Sequence, residues 1–196
     1  MVNSASHPGQ LVVLCGPSGV GKSTISTRLR DELGIRYAVS TTTRRERPGD
    51  DKGKKYDYVT TDAFFRRLDH DEFLEYAQVY GEYYGTPKHP TLEDLAAGKD
   101  VLLEIDVQGA LQVRYQYPDA LLIFILPPDE PTLLSRLKSR ASETADDITR
   151  RFRAAKREIH MAKGSRAFDH MVINDDLNRA VAEIERIIAN KKTGAL

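Results

Sequence analysis

Residues 16 to 23, GPSGVGKS, constrain this chain more than any other stretch. They match the spacing G-x-x-x-x-G-K-S in full, a pattern that acquires meaning only between a strand and a helix. Both neighbours are present. Before it, QLVVLC at 10–15 is a short apolar run with β-branched residues, bounded by Gly16 and Pro17, and reads as a buried strand. After it, KSTISTRLRDELG sets Ile25, Leu29 and Leu33 four apart on one helical face, with Gly34 as terminator. In that order the backbone from Gly16 and Pro17 through Ser18, Gly19, Val20 and Gly21 curls so that its N–H groups converge on phosphate oxygens. The helix points its positive end at the same place, and Lys22 adds a full charge. Ser23 offers a hydroxyl to a magnesium ion. The segment is therefore predicted to hold the phosphates of a nucleotide.

At 196 residues the chain has the length for one domain with a real core, alone or carrying inserted subdomains. Lysine and arginine number 29, as do aspartate and glutamate, so the chain has no net charge. It lacks the broad positive footprint of a non-specific nucleic-acid binder, and any anion recognition has to be local. The start, MVNSASHPGQ, lacks the basic and then apolar pattern of a secretory signal, and LLIFIL is too short to span a bilayer. A cytoplasmic location is expected. Cys15 is the single cysteine, which excludes an internal disulfide and a thiolate zinc site within one chain, and the five histidines show no metal-ligand spacing.

Further strand-length apolar runs occur at DVLLEID (100–106), ALLIFIL (120–126) and HMVIN (170–174), each followed by a helical pattern. Their hydrophobicity is continuous rather than alternating, which predicts strands covered on both faces and hence a parallel α/β sheet. Residues 41–98 are shorter in rhythm, more polar and rich in tyrosine, and read as an insertion beside that sheet. A second excursion, 127–164, is helical and dense in arginine. This leaves 1–40, 99–126 and 165–196 as the core, closed by a helix with Leu177, Val181, Ile184 and Ile188 on one face.

A phosphate loop needs an acidic partner at the tip of a neighbouring buried strand. LLEID supplies Asp106, with Glu104 two residues earlier on the same face. Phosphoryl transfer also needs an acceptor held in line with the γ-phosphate. The stretch RRERPGDDKGKK, 44–55, carries six basic and three acidic side chains and by itself reads as a solvated loop. Beside a phosphate loop, Arg44 and Arg47 become candidates to grip a second phosphate, because planar guanidinium forks match its oxygens. Tyr56 and Tyr84 add neutral donors. Together they describe a pocket for a monophosphate.

GPSGVGKST, VSTTTRRERPG, EYYGT, LLEIDVQGA and VINDD, taken in order from about residue 11 to 190, resemble the successive motifs of guanylate kinases. The resemblance implies a P-loop core with a GMP-binding subdomain at 41–98 and a helical lid at 127–164, moving against one another. It implies transfer of a phosphoryl group from ATP to GMP, and to dGMP, with Mg²⁺ as cofactor, as part of purine nucleotide metabolism. Residue by residue, it assigns Ser40, Arg44, Arg47, Tyr56 and Tyr84 to the GMP phosphate, and Glu75 and Thr86 to the guanine ring. Glu104 and Asp106 fall on the acceptor side, with Asp106 and Ser23 near magnesium. Thr24 extends the phosphate loop, and Asn174 matches a residue near the adenine end. Lys22 and Arg44 are the catalytic candidates, joined by Arg136, Arg140 and Arg151, which match arginines of the lid and its flanks. Taken alone, Glu75 in HDEFLEYAQ reads as an acid on a helix surface. The stretch SRASET, where the family usually carries glycines, implies a stiffer hinge beside Arg140. A related interaction module without activity is expected to have an eroded phosphate loop, and this one is intact.

Overall fold

The structure, a computed structural model, describes residues 9–47, 55–139 and 144–194. The chain begins with β1 (Leu11–Cys15), α1 (Lys22–Leu33), β2 (Arg36–Tyr37), β3 (Ser40–Thr42) and β4 (Tyr56–Tyr58). It continues through α2 (Thr61–Asp69), β5 (Phe73–Val79), β6 (Glu82–Pro87), α3 (Lys88–Ala96), β7 (Val101–Ile105) and α4 (Val107–Gln116). β8 (Leu121–Leu126), α5 (Glu130–Lys138), α6 (Ala145–Ser165), β9 (His170–Ile173) and α7 (Leu177–Thr193) complete it. The central sheet has the order β2-β7-β1-β8-β9 and is parallel throughout.

All five residues of β1 are buried, and the alternation of side chains explains why the run has to be apolar from end to end. Val12 and Leu14 join a cluster with Ile25 and Leu29 of α1 and Val181, Ile184 and Ile188 of α7. Leu11, Val13 and Cys15 join another with Val107, Ala110 and Val113 of α4. Two expectations need correction. Leu33 is 45% exposed rather than packed, because the left-handed Gly34 turns the chain and Ile35 enters the core instead. β9 is an edge strand, not one covered on both faces: Val172 is buried while Met171 and Ile173 are exposed.

A second sheet, β4-β3-β6-β5, stands beside the first. It starts at Ser40, one residue before the predicted insertion. Its small core is aromatic: Phe64 of α2 stacks on Phe73 of β5 at 4.6 Å between ring centroids, with Tyr83 of β6 alongside. β5 and β6 are joined by Tyr80 and Gly81, both at positive φ, as a two-residue hairpin turn requires. The sheets are tied through α4, which follows β7 in the first and packs on β5 in the second. Gln112 of α4 donates to the Tyr76 carbonyl at 2.7 Å and accepts from the Tyr76 N–H at 3.2 Å.

Candidate active site

Every residue of GPSGVGKS except Val20 lines an open cleft of about 730 Å³, as does Thr24. Gly21 sits at φ 94°, and a Cβ there would lie 2.6 Å from the Asn174 amide nitrogen, so only glycine fits. No side chain caps α1. Thr24 N and Ile25 N donate to the Gly21 carbonyl at 3.1 Å each, and the helix dipole favours an anion beside this end. The Lys22 ammonium folds back onto the loop and donates to the carbonyls of Gly16 and, at 3.1 Å, Pro17.

Glu104, at the tip of β7, collects four donors. Ser23 Oγ donates to Oε1 at 2.7 Å, Ser26 Oγ to Oε2 at 2.7 Å, and Tyr37 Oη to Oε2 at 3.3 Å. Lys55 Nζ forms an ion pair with Oε2 at 3.1 Å. Burial pushes this carboxyl up, but Lys55, Lys22 and the two serine hydroxyls outweigh it and hold it below the ordinary range. Asp106 also lines the cleft, but its carboxylate caps α4, accepting from Gly109 N at 2.9 Å, and burial raises its pKa. The strand-end acid that meets Ser23 is therefore Glu104.

The second sheet brings Ser40, Arg44, Arg47, Tyr56, Glu75 and Tyr84 to the same cleft. The Arg44 guanidinium lies 5.2 Å from the Tyr56 ring centroid and 5.5 Å from that of Tyr58, whose hydroxyl it meets at 3.3 Å. Tyr84 packs edge-on against Tyr56. Glu75 lies on a strand, not on a helix surface, and is 4% exposed. An extra residue between the pairs Phe73↔Pro87 and Glu75↔Thr86, a β-bulge, sets Glu75 directly opposite Thr86. Its Oε1 accepts from Thr86 Oγ1 at 2.6 Å and Thr86 N at 3.1 Å. Burial raises its pKa to about 7, against the opposing pull of the Thr86 hydroxyl.

Of the predicted arginines, Arg151 of α6 reaches the cleft and donates to the Ser18 hydroxyl. Arg136 and Asn174 stand behind the loop. Arg136 Nη2 donates to the Asn174 carbonyl at 3.0 Å, and the buried Asn174 amide donates to the Val20 carbonyl at 2.7 Å. Arg140 and the middle of the charged stretch, 48–54, lie outside the described residues. Sequence reasoning missed Lys55, whose charge in the run 44–55 carries no local sign of its pairing with Glu104. It also missed Glu158, which lines the cleft and is raised to about 7 by burial, Lys22 pulling it down and Asp106 pushing it up. The available signal was its spacing, seven residues after Arg151 and thus on the same face of α6. Among the described residues no cluster of three or more His, Cys, Asp or Glu is arranged to hold a metal, and no helix is long and apolar enough to cross a membrane.

A parallel sheet whose first strand runs through a glycine-rich loop into a helix, with a carboxylate at the neighbouring strand tip, defines a P-loop nucleotide-binding protein. The family model for guanylate kinase matches residues 8–191, and the chain belongs to that family. It is 43% identical over 190 residues to a guanylate kinase of Caldanaerobacter subterraneus, covering 96% of this chain and 91% of the relative. It is 46% identical over 186 residues to one of Gloeobacter violaceus, covering 94% and 89%. A crystal structure of guanylate kinase from Anaplasma phagocytophilum matches with a TM-score of 0.79 at 29% identity, over 95% of this chain and 87% of that one.

Proposed function

We propose that this protein transfers the γ-phosphoryl group of ATP to GMP, giving ADP and GDP. One observation carries the choice of acceptor: a buried carboxylate, Glu75, backed by Thr86, lines the same cleft as the phosphate loop. Guanine offers two adjacent donors, N1–H and the 2-amino group, which one carboxylate accepts together. Adenine presents a lone pair at N1 and leaves Glu75 unpaired. A site built on such bonds rejects the wrong base by about 10⁴-fold.

In this reading Ser40, Arg44, Arg47, Tyr56 and Tyr84 hold the GMP phosphate. Its second pKa is about 6, so the attacking oxygen is mostly ionised at neutral pH and no general base is needed. Lys22 exchanges the Gly16 and Pro17 carbonyls for phosphate oxygens of ATP. Arg151, beside Ser18, neutralises charge spreading over the transferring group, with Arg140 in the same role on sequence grounds. Arg136 acts through Asn174 to hold the loop in shape. Residues 41–98 form the GMP-binding subdomain, and 127–164 the lid that excludes water when both substrates are present.

The family chemistry implies Mg²⁺. The oxygen donors here fit a hard cation held mainly by substrate phosphates. Ser23 would supply the hydroxyl, whose hydrogen bond goes to Glu104 while its lone pairs stay free, with Asp106 nearby in the cleft. When bound, Mg²⁺ would supply positive charge that offsets the charge of the phosphates during transfer. A cytoplasmic location suits this reading, because ATP and GMP are made and used there. An ADP-release assay with each nucleoside monophosphate in turn tests the reading: GMP should be the strongly preferred acceptor. Equal use of AMP, or no release with GMP, would overturn it.

A further inference from the structure

Gly109 is the third residue of α4 and is buried against β5. Glycine is a poor choice inside a helix, where it is less favourable than alanine, so its presence asks for a reason. Space supplies one. A Cβ at Gly109 would lie 2.1 Å from Glu75 Oε2 and 3.0 Å from its Cδ, against 3.4 Å from the next neighbour, Ile105. The helix does not simply drift close to the strand at this point. One turn on, on the same face, the Gln112 amide clamps both backbone groups of Tyr76, the residue after Glu75. At the other end of this segment, Asp106 anchors the Gly109 N–H. α4 is thus fixed at a spacing that leaves the Glu75 carboxylate room only where residue 109 has no side chain.

The opposite side of the carboxylate is equally determined. Oε1 is taken by the Thr86 hydroxyl and N–H, so Glu75 is held between Thr86 on β6 and the bare backbone of α4. We propose that Gly109 is a specificity-determining position: by admitting Glu75 Oε2 against α4, it sets where the carboxylate presents itself to the acceptor base. A methyl group at 109 displaces the far end of a flexible side chain, not backbone. The fold therefore accommodates the change, while Glu75 shifts by more than an ångström. This inference rests on the reading of Glu75 as the base-recognising group, and the sequence motif VQGAL does not by itself disclose it.

The test is a cycle of wild type, Gly109→Ala, Glu75→Ala and the double variant, measuring KM for GMP, KM for ATP, GMP against AMP use, and the unfolding midpoint. In the presence of Glu75, Gly109→Ala should raise KM for GMP by about 10²-fold, the scale of a misplacement of about 1 Å. KM for ATP and the midpoint should stay at wild-type values. In the Glu75→Ala background the same change should add no further loss for GMP. A Gly109→Ala enzyme with unaltered GMP use overturns the inference, and so does an equal loss in both backgrounds, which would make the glycine a general packing residue. A wild type that uses AMP as readily as GMP instead sinks the functional reading, and this inference with it. GMP selectivity in the wild type that is retained in Gly109→Ala sinks this inference alone.

Discussion

Replacing Glu75 by glutamine should stabilise the protein at alkaline pH while damaging its use of GMP. In the fold this carboxyl titrates at about 7 instead of 4.5, because burial disfavours its charge. At about 1.4 kcal/mol for each pH unit, the fold prefers its protonated form by about 3 kcal/mol. The unfolded chain ionises near 4.5, so between that pH and about 7 the native state binds more protons than the unfolded one. Stability therefore falls as pH rises across this window and stays lower above it. Glutamine does not titrate, and its carbonyl keeps both Thr86 bonds. The variant should match the wild type near pH 4.5 and exceed it by up to about 3 kcal/mol at pH 8, or about 6–12 °C in Tm for a chain of this size. Other groups titrate in both proteins and cancel in the difference. Thermal melts of the pair from pH 4.5 to 8.5 provide the measurement. A gap that does not change with pH, or a less stable variant at pH 8, refutes the reasoning. Saturating GMP should narrow the gap at pH 8, because the guanine donors pair the charge that the empty site leaves buried. The glutamine amide sets a donor against those donors, and kcat/KM for GMP should fall by about 10²-fold.

Lys22→Ala removes a charge from the triphosphate side alone, and kcat should drop by about 10²-fold or more while GMP affinity by calorimetry stays near wild type. Equal losses in both would dismantle the two-site assignment. Arg44→Lys keeps the charge but loses the planar fork that lies against the Tyr56 and Tyr58 rings. KM for GMP should rise about tenfold with KM for ATP little changed, and unaltered kinetics would return Arg44 to a surface role.

Much of this molecule is legible in its sequence because continuous apolar runs and a complete phosphate-loop motif are local signals. LVVLC, VLLEI and LLIFIL are apolar at every position facing either cluster, which only a strand covered on both sides requires. GPSGVGKS carries its own glycines at the points where φ is positive or a Cβ would collide. Those features determined the class of fold, the donor end of the cleft and, with the ordered motifs, the family.

The tertiary structure decided how the acids divide their work. Glu104 and Asp106 stand two apart on one tip and look interchangeable in the sequence. Only packing shows that Asp106 is spent on the α4 cap while Glu104 faces Ser23, Ser26, Tyr37 and Lys55, drawn from three other segments. Glu75 reads as an ordinary helix-surface acid until a bulge sets it opposite Thr86 and burial raises its pKa. Gly109 carries no local signal because its partner Glu75 lies far away in the chain, and Glu158 shows only its helical spacing from Arg151 until the fold brings both to the cleft. Spacing and hydrophobicity report what a residue needs from its immediate neighbours. The position and charge of a buried carboxylate depend on groups that only the folded chain brings together.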